Sequence, residues 1–165
     1  MNKKVMFAVL SVLVFGIGFF VWNVSQKTAE NKVKLQALLS DNQAIVVASR
    51  TCGCCKLYAE YLRQEGFDVD LQEKSPDEVE IYKNENQVPQ SLRSCHTSRI
   101  GGYIVEGHIP MEAIEKLLKD KPNIKGIGMA GMPIGSPGMP GQKNGSFIID
   151  VITNDGEDGG LFLKI

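Results

Sequence analysis

Three of the chain's four cysteines fall within one six-residue stretch, Thr51-Cys52-Gly53-Cys54-Cys55-Lys56, and the fourth, Cys95, directly precedes His96. Thiol exchange through a Cys-Gly-x-Cys pair such as Cys52 and Cys55 needs only two sulfurs. The extra sulfur at Cys54 and the remote Cys-His pair need another explanation, and soft-metal binding is the simplest. The same stretch constrains the fold. Ala44-Ile45-Val46-Val47-Ala48 is an apolar, β-branched run suited to a buried strand. Beyond the cysteines, Leu57, Tyr58, Tyr61 and Leu62 recur at helical spacing up to Gly66, which is placed to cap a helix. The cysteines therefore occupy a strand-to-helix turn, where unpaired backbone N–H groups and the positive end of the helix dipole favour thiolate over thiol.

Further along, Phe67-Asp68-Val69-Asp70-Leu71 alternates apolar and acidic residues and completes a β-α-β unit with parallel strands. Ser75-Pro76-Asp77-Glu78 carries a capping serine, a first-turn proline and a glutamate three residues after the cap, which predicts a second helix over 76–86. Val88-Pro89 ends it. Ile100-Gly101-Gly102-Tyr103 reads as a hairpin turn between strands at 95–100 and 103–108, and Pro110 opens a third helix that stops before Pro122. The order β-α-β-α-β-β-α predicts an α/β, thioredoxin-like layer of helices on a mixed sheet.

A Gly/Pro/Met-rich stretch over 126–141 reads as a long loop in a C-terminal extension, closed by a short hairpin from Phe147–Thr153 and Leu161–Ile165. At the other end, Lys3 and Lys4 precede an uncharged apolar stretch over 5–22, which as a helix would span about 27 Å, close to the hydrocarbon thickness of a bilayer. Asn23-Val24-Ser25 supplies no small-residue cleavage site, so residues 1–23 read as a retained transmembrane helix, with a cleaved signal as the alternative. Residues 24–43 then form a linker or short helix, and 44–165 one metal-binding domain. Either reading of the first segment exports the domain. With a net charge of −1 and 22% charged residues, nothing points to nucleic acid as a partner.

Adjacent residues on a helix diverge by about 100°, so Cys54 and Cys55 cannot both reach one tetrahedral ion without strain. Several ions bridged by shared thiolates would use all three sulfurs. Thiolates supported by imidazole and thioether select Cu(I), and the expected topology brings Cys95 and His96 to the other sulfurs. His108, at a strand end, and Met132 and Met139, in the Gly/Pro loop, are further candidate ligands. Met129 is a weaker candidate, with packing as its alternative role. A thiol-disulfide oxidoreductase using Cys52 and Cys55, and a structural Zn or Fe-S site, are the rival readings.

Thr51-Cys52-Gly53-Cys54-Cys55, Val88-Pro89, Ser94-Cys95-His96-Thr97, the block from Gly101 to Pro110 and the block from Gly131 to Met139 occur in the order seen in the CopG-like family of exported copper-resistance proteins, which the chain resembles over roughly residues 45–140. The resemblance implies a thioredoxin-like fold holding a cysteine-bridged multicopper site, with a role in copper tolerance that includes changing the oxidation state of copper. Carried over by position, the thiolate ligands are Cys52, Cys54, Cys55 and Cys95, with His96 alongside and Met132 and Met139 in matching blocks. Tyr58 and Tyr61 depart from the family pattern, which has Trp and His there, and Met129 stands where an aliphatic residue is expected. The apolar segment reads as an inner-membrane anchor for a periplasmic or extracytoplasmic domain, and a retained anchor is a further departure from relatives that are freely soluble after export. Its partners would be copper ions, other copper-handling proteins or a redox partner.

Overall fold

The computed structural model describes residues 42–165, together with Trp22 and Gln26. Apart from Trp22 and Gln26, the expected anchor over 5–22 and nearly all of the linker lie outside the described residues. Among those described, no helix is long and apolar enough to cross a membrane. The chain divides into two units, 1–40 and 41–165, and the fold that follows is that of the second.

Three helices and seven strands form a mixed α/β fold in the order β1 (Gln43–Ser49), α1 (Gly53–Gln64), β2 (Asp68–Lys74), α2 (Pro76–Glu85), β3 (His96–Ile100), β4 (Tyr103–Glu106), α3 (Met111–Asp120), β5 (Gly126–Gly128), β6 (Ile148–Ile152) and β7 (Asp158–Lys164). All strands share one sheet, ordered β2-β1-β3-β4-β5-β6-β7. β1 runs parallel to β2 and antiparallel to β3, with Ala48 opposite His96, so the end of β1 that leads into the cysteine turn lies beside the start of β3. The capping box of α2 forms as its sequence requires: the Ser75 N–H donates to Glu78 Oε2 at 2.8 Å and the Glu78 N–H to Ser75 Oγ at 3.3 Å.

Side chains alternate across the sheet, so the two faces of β3 and β4 bury different sets. On one face, α1 and α3 pack Tyr58, Leu62, Ile114 and Leu117 against Val46, Ile100, Val105 and Ile127, all fully buried. Each such aliphatic side chain contributes roughly 1.5–3 kcal/mol by leaving water. On the other face a smaller cluster of Val88, Leu92, Ile104 and Ile152 is joined by Lys83 of α2.

Two expectations are corrected. The stretch over 126–141 is not loop throughout, because Gly126–Gly128 pairs parallel to β4 as β5. A Cβ at Gly126 would run into the Ile104 carbonyl, so the glycine that argues for a loop in sequence is what allows this close pairing. The expected C-terminal hairpin forms from β6 and β7, and β6 pairs with β5 so that the hairpin extends the main sheet. Leu57, read as part of the buried face of α1, is 59% exposed, and the face is instead Cys55, Tyr58, Ala59 and Leu62.

Candidate metal centre

Cys52 is the N-cap of α1, in an extended conformation, with its N–H donating to Ser49 O at 2.9 Å. Cys54 and Cys55 lie in the first turn, and the divergence of neighbouring helical residues sends them different ways. Cys55 is buried, with its Sγ against Cys95 O at 3.7 Å. Cys54 turns outward, with its Sγ 3.5 Å from Cys52 Sγ, 3.8 Å from Cys95 Sγ and 4.0 Å from Met132 Sδ. The sulfurs of Cys52, Cys54, Cys55 and Cys95 all lie within 4.8 Å of one another. Cys52 and Cys55 are joined as a disulfide, and Cys54 and Cys95 are free.

Both histidines of the chain reach the same place. His108 Nε2 is 3.0 Å from Cys95 Sγ, while its Nδ1 is 2.7 Å from Pro137 O. A carbonyl only accepts, so Nδ1 carries the proton and Nε2 turns a lone pair toward the sulfur. His96 Nδ1 lies 3.5 Å from Cys95 Sγ, and its fully buried Nε2 has no hydrogen-bond partner. Tyr58 holds both rings, with centroid distances of 4.5 Å to His96 and 5.6 Å to His108, and its hydroxyl donates to Ile109 O at 3.0 Å.

The Gly/Pro loop covers the centre. Gly138 has φ +78°, and a Cβ there would meet Tyr58 N at 2.7 Å and Cys54 O at 2.9 Å, so the loop can lie on the first turn of α1 only with glycine at this position. That contact sets the Pro137 carbonyl over His108 and holds the loop that carries Met132. Met139 is half-buried in the same loop. Met129 packs in the core at 2% exposure, the alternative role weighed for it.

A second polar group lies across the sheet. Glu106 accepts from Lys83 Nζ at 2.5 Å, from the Thr97 hydroxyl at 2.5 Å and from the Ser94 N–H at 2.7 Å, and Lys83 Nζ also donates to Thr97 Oγ1 at 3.0 Å. Glu106 thereby fixes the backbone one residue before Cys95, and the Ser94 hydroxyl ties that segment to the Gly131 carbonyl. Sequence reasoning missed Lys83, Ser94, Glu106 and Tyr58 as supports of the centre. Only the helical spacing of Tyr58 carried a signal, and it marked core packing.

Burial dominates the electrostatics. It pushes the Cys95 thiol up to about 12, helped by the neighbouring Cys54, so an incoming metal must displace that proton. Burial holds His96 well below its ordinary value, with His108 and Lys83 adding repulsion. His108 is also lowered by burial, against an opposing effect of the Pro137 carbonyl. Both imidazoles are thus neutral, the form that ligates metals. Burial raises the Glu106 carboxyl and outweighs the pull of Lys83.

A family model described as "Protein of unknown function, DUF411" matches residues 92–139. Two solved structures are similar to the chain. "Copper resistance protein copG- Form 1" is 32% identical with a TM-score of 0.67, over 74% of this chain and 96% of that one. "Copper resistance protein copG- Form 2" is 31% identical with a TM-score of 0.64, over 74% of this chain and 97% of that one. No curated protein matches the chain.

Proposed function

The chain belongs to the family of the copper resistance protein CopG, and from that premise we propose that it binds Cu(I) as a thiolate-bridged site of more than one ion, for copper resistance or homeostasis. The observation that carries this reading is the approach of Cys95 Sγ to within 3.8 Å of Cys54 Sγ across 41 residues of sequence. Four cysteine sulfurs in one pocket with an adjacent imidazole and thioether are, once reduced, the donors that soft Cu(I) prefers over harder ions. In the reduced protein Cys52, Cys54, Cys55 and Cys95 supply the bridging thiolates, His96 stands alongside and Met132 offers its thioether. Met139, in the same loop, is a further candidate thioether. The order β-α-β-α-β-β-α on a mixed sheet supports a thioredoxin-like description of the first seven elements. The apolar stretch over 5–22 supports a domain outside the cytoplasm, tethered to the inner membrane and able to meet other copper-handling proteins.

The test is an anaerobic titration of the fully reduced chain with Cu(I), counting ions bound. More than one ion per chain is expected, and saturation at zero ends the reading. Copper redox conversion would add electron exchange with a partner, observable as a reversible change in oxidation state of the bound ions.

The Cys52–Cys55 disulfide favours a second reading, a thiol-disulfide oxidoreductase in which Cys52 is the attacked or attacking sulfur and Cys55 the resolving one. It predicts turnover of a disulfide substrate that survives loss of Cys95 and His96. If Cys95→Ser abolishes turnover as completely as Cys52→Ser, the dithiol mechanism fails.

A further inference from the structure

Between the Gly/Pro loop and β6 the chain crosses a stretch that its surroundings leave untied. Residues 142–146 are all exposed, and among the described residues none of them makes a hydrogen bond. Both ends of the stretch are anchored. A Cβ at Gly135 would run into the backbone of Gln142 and Lys143, so the loop lies directly on those residues. At the far end Phe147 is buried, and its backbone exchanges two hydrogen bonds with Ile165, at 2.8 and 3.1 Å. Asn144-Gly145-Ser146 bridges the two anchors.

Asn144 is the one asparagine in the chain that is followed by glycine. Such a pair carries an intramolecular reaction of its own, in which the glycine nitrogen attacks the asparagine side-chain carbonyl. A folded protein permits it where the side chain is free to swing onto the backbone, the attacking N–H is not held in a hydrogen bond and no side chain crowds the nitrogen. Asn144 is exposed and unbonded, and the Gly145 N–H has no partner among the described residues. Gly145 has φ +88°, and open space surrounds the position a Cβ would take.

Other segments supply the contrast. Asp155-Gly156 has the same chemistry open to it in sequence, yet the Gly156 N–H donates to Thr153 O at 3.0 Å and Asp155 Oδ1 accepts from the Thr153 hydroxyl at 2.6 Å. Asn86 Nδ2 donates to Tyr82 O at 2.8 Å, Asn154 Nδ2 donates to Asn123 Oδ1 at 3.1 Å, and Asn84 Oδ1 accepts from Arg93 at 2.5 Å. Those amides are tied down.

We propose that Asn144-Gly145 is a self-modification site, at which the folded chain converts Asn144 to aspartyl and isoaspartyl residues and thereby loosens the loop anchored on Lys143. The Gly145 nitrogen gives up its proton to hydroxide and bonds to Asn144 Cγ, while the Cγ–Nδ2 bond breaks and Nδ2 leaves as ammonia, closing a succinimide. Water then opens the ring. Attack at Cγ gives an ordinary aspartate, and attack at the main-chain carbonyl routes the backbone through Cγ as isoaspartate. No electrons are gained or lost, and either product adds one negative charge to a chain of net charge −1. Isoaspartate also adds a methylene to the bridge and changes its direction. The weaker anchor yields, which is the Gly135 contact, because Phe147 is held by the core. The reaction uses no metal and stands apart from the reading of this chain as a copper protein.

The test incubates the full-length chain at mildly alkaline pH in heavy-oxygen water and maps its peptides by mass spectrometry after digestion in ordinary water. Only conversions in the folded chain then carry the heavy label. With no Cβ at Gly145, Asn144 should convert at least about tenfold faster than Asn84, Asn86, Asn123 or Asn154. Part of the product should be isoaspartate, detected by enzymatic methylation. Asn144→Gln, whose longer side chain closes a ring far less readily, should suppress the label, and it removes no contact on which folding depends. Hydrogen exchange over 131–139 should rise in the aged wild-type chain and stay unchanged in the aged variant. An unlabelled Asn144 overturns the site. A labelled chain whose exchange over 131–139 stays unchanged overturns the coupling to the loop.

Discussion

The two faces of the β3–β4 pair bury polar groups under opposite conditions. On the α2 face, Lys83, Thr97 and Glu106 satisfy one another and the Ser94 N–H. On the α1 face, one residue away along the same strand, His96 is equally buried and has an orphaned ring nitrogen, and burial holds the proton on Cys95. A saturated network has nothing left to offer a ligand and serves to hold its neighbours. An unsaturated one carries a standing cost that binding can relieve. The comparison separates the support of the centre from the centre itself, although both are clusters of buried polar side chains.

The sharpest way to break the comparison is to remove one charge from the saturated face. Lys83→Met leaves Glu106 buried without its counter-ion and should destabilise the protein by about 3–5 kcal/mol in denaturant titration, whereas Lys83→Met with Glu106→Leu should recover most of the loss. An undiminished stability in the single variant would show that the network is not what fixes the Ser94–Cys95 segment. The unsaturated face should respond in the other direction. His96→Phe keeps a ring against Tyr58 and removes the orphaned nitrogen, so the metal-free protein should be unchanged or more stable by about 1 kcal/mol. Its Cu(I) loading should fall. A large destabilisation would instead mean that His96 is a satisfied structural residue.

The smallest expected effect is the pH dependence of metal-free stability, read from thermal melts. Both histidines are held below 6.5 by burial, so as pH falls below that value the unfolded chain takes up protons that the folded chain refuses, and stability declines. The Cys95 thiol is raised from 9.0 to about 12, so between those values the unfolded chain releases a proton that the folded chain retains, and stability declines again. Maximum stability should fall between the two limbs. His96→Phe should flatten the acid limb and leave the alkaline one in place.

Much of the scaffold was legible before any coordinates. The β-branched run at 44–48, the capping box at Ser75 and the Gly101-Gly102 turn each state a local preference strong enough to survive packing, and each appears where its residues indicate. The errors fell where tertiary contact overrode local preference. Gly126 argues for a loop on its own, yet it becomes a strand because a neighbouring backbone needs the room. Leu57 fits a helical stripe but faces solvent, since the stripe is set by what α1 packs against. At the site, the cysteines and His96 stood out by type and spacing. Met132 was singled out from the Gly/Pro loop, and its Sδ lies 4.0 Å from Cys54 Sγ.

By itself the sequence determined the chemistry on offer: soft sulfur at a strand-to-helix turn, a second Cys-His pair and two imidazoles in all, because donor type is a property of the residue. Only the tertiary structure decided which donors come together, since that depends on distances between residues 41 positions apart and on a carbonyl in a covering loop that turns His108 toward Cys95. Coordination requires donor atoms to meet within a few ångströms, and chain order fixes no such distance until strands and helices pack.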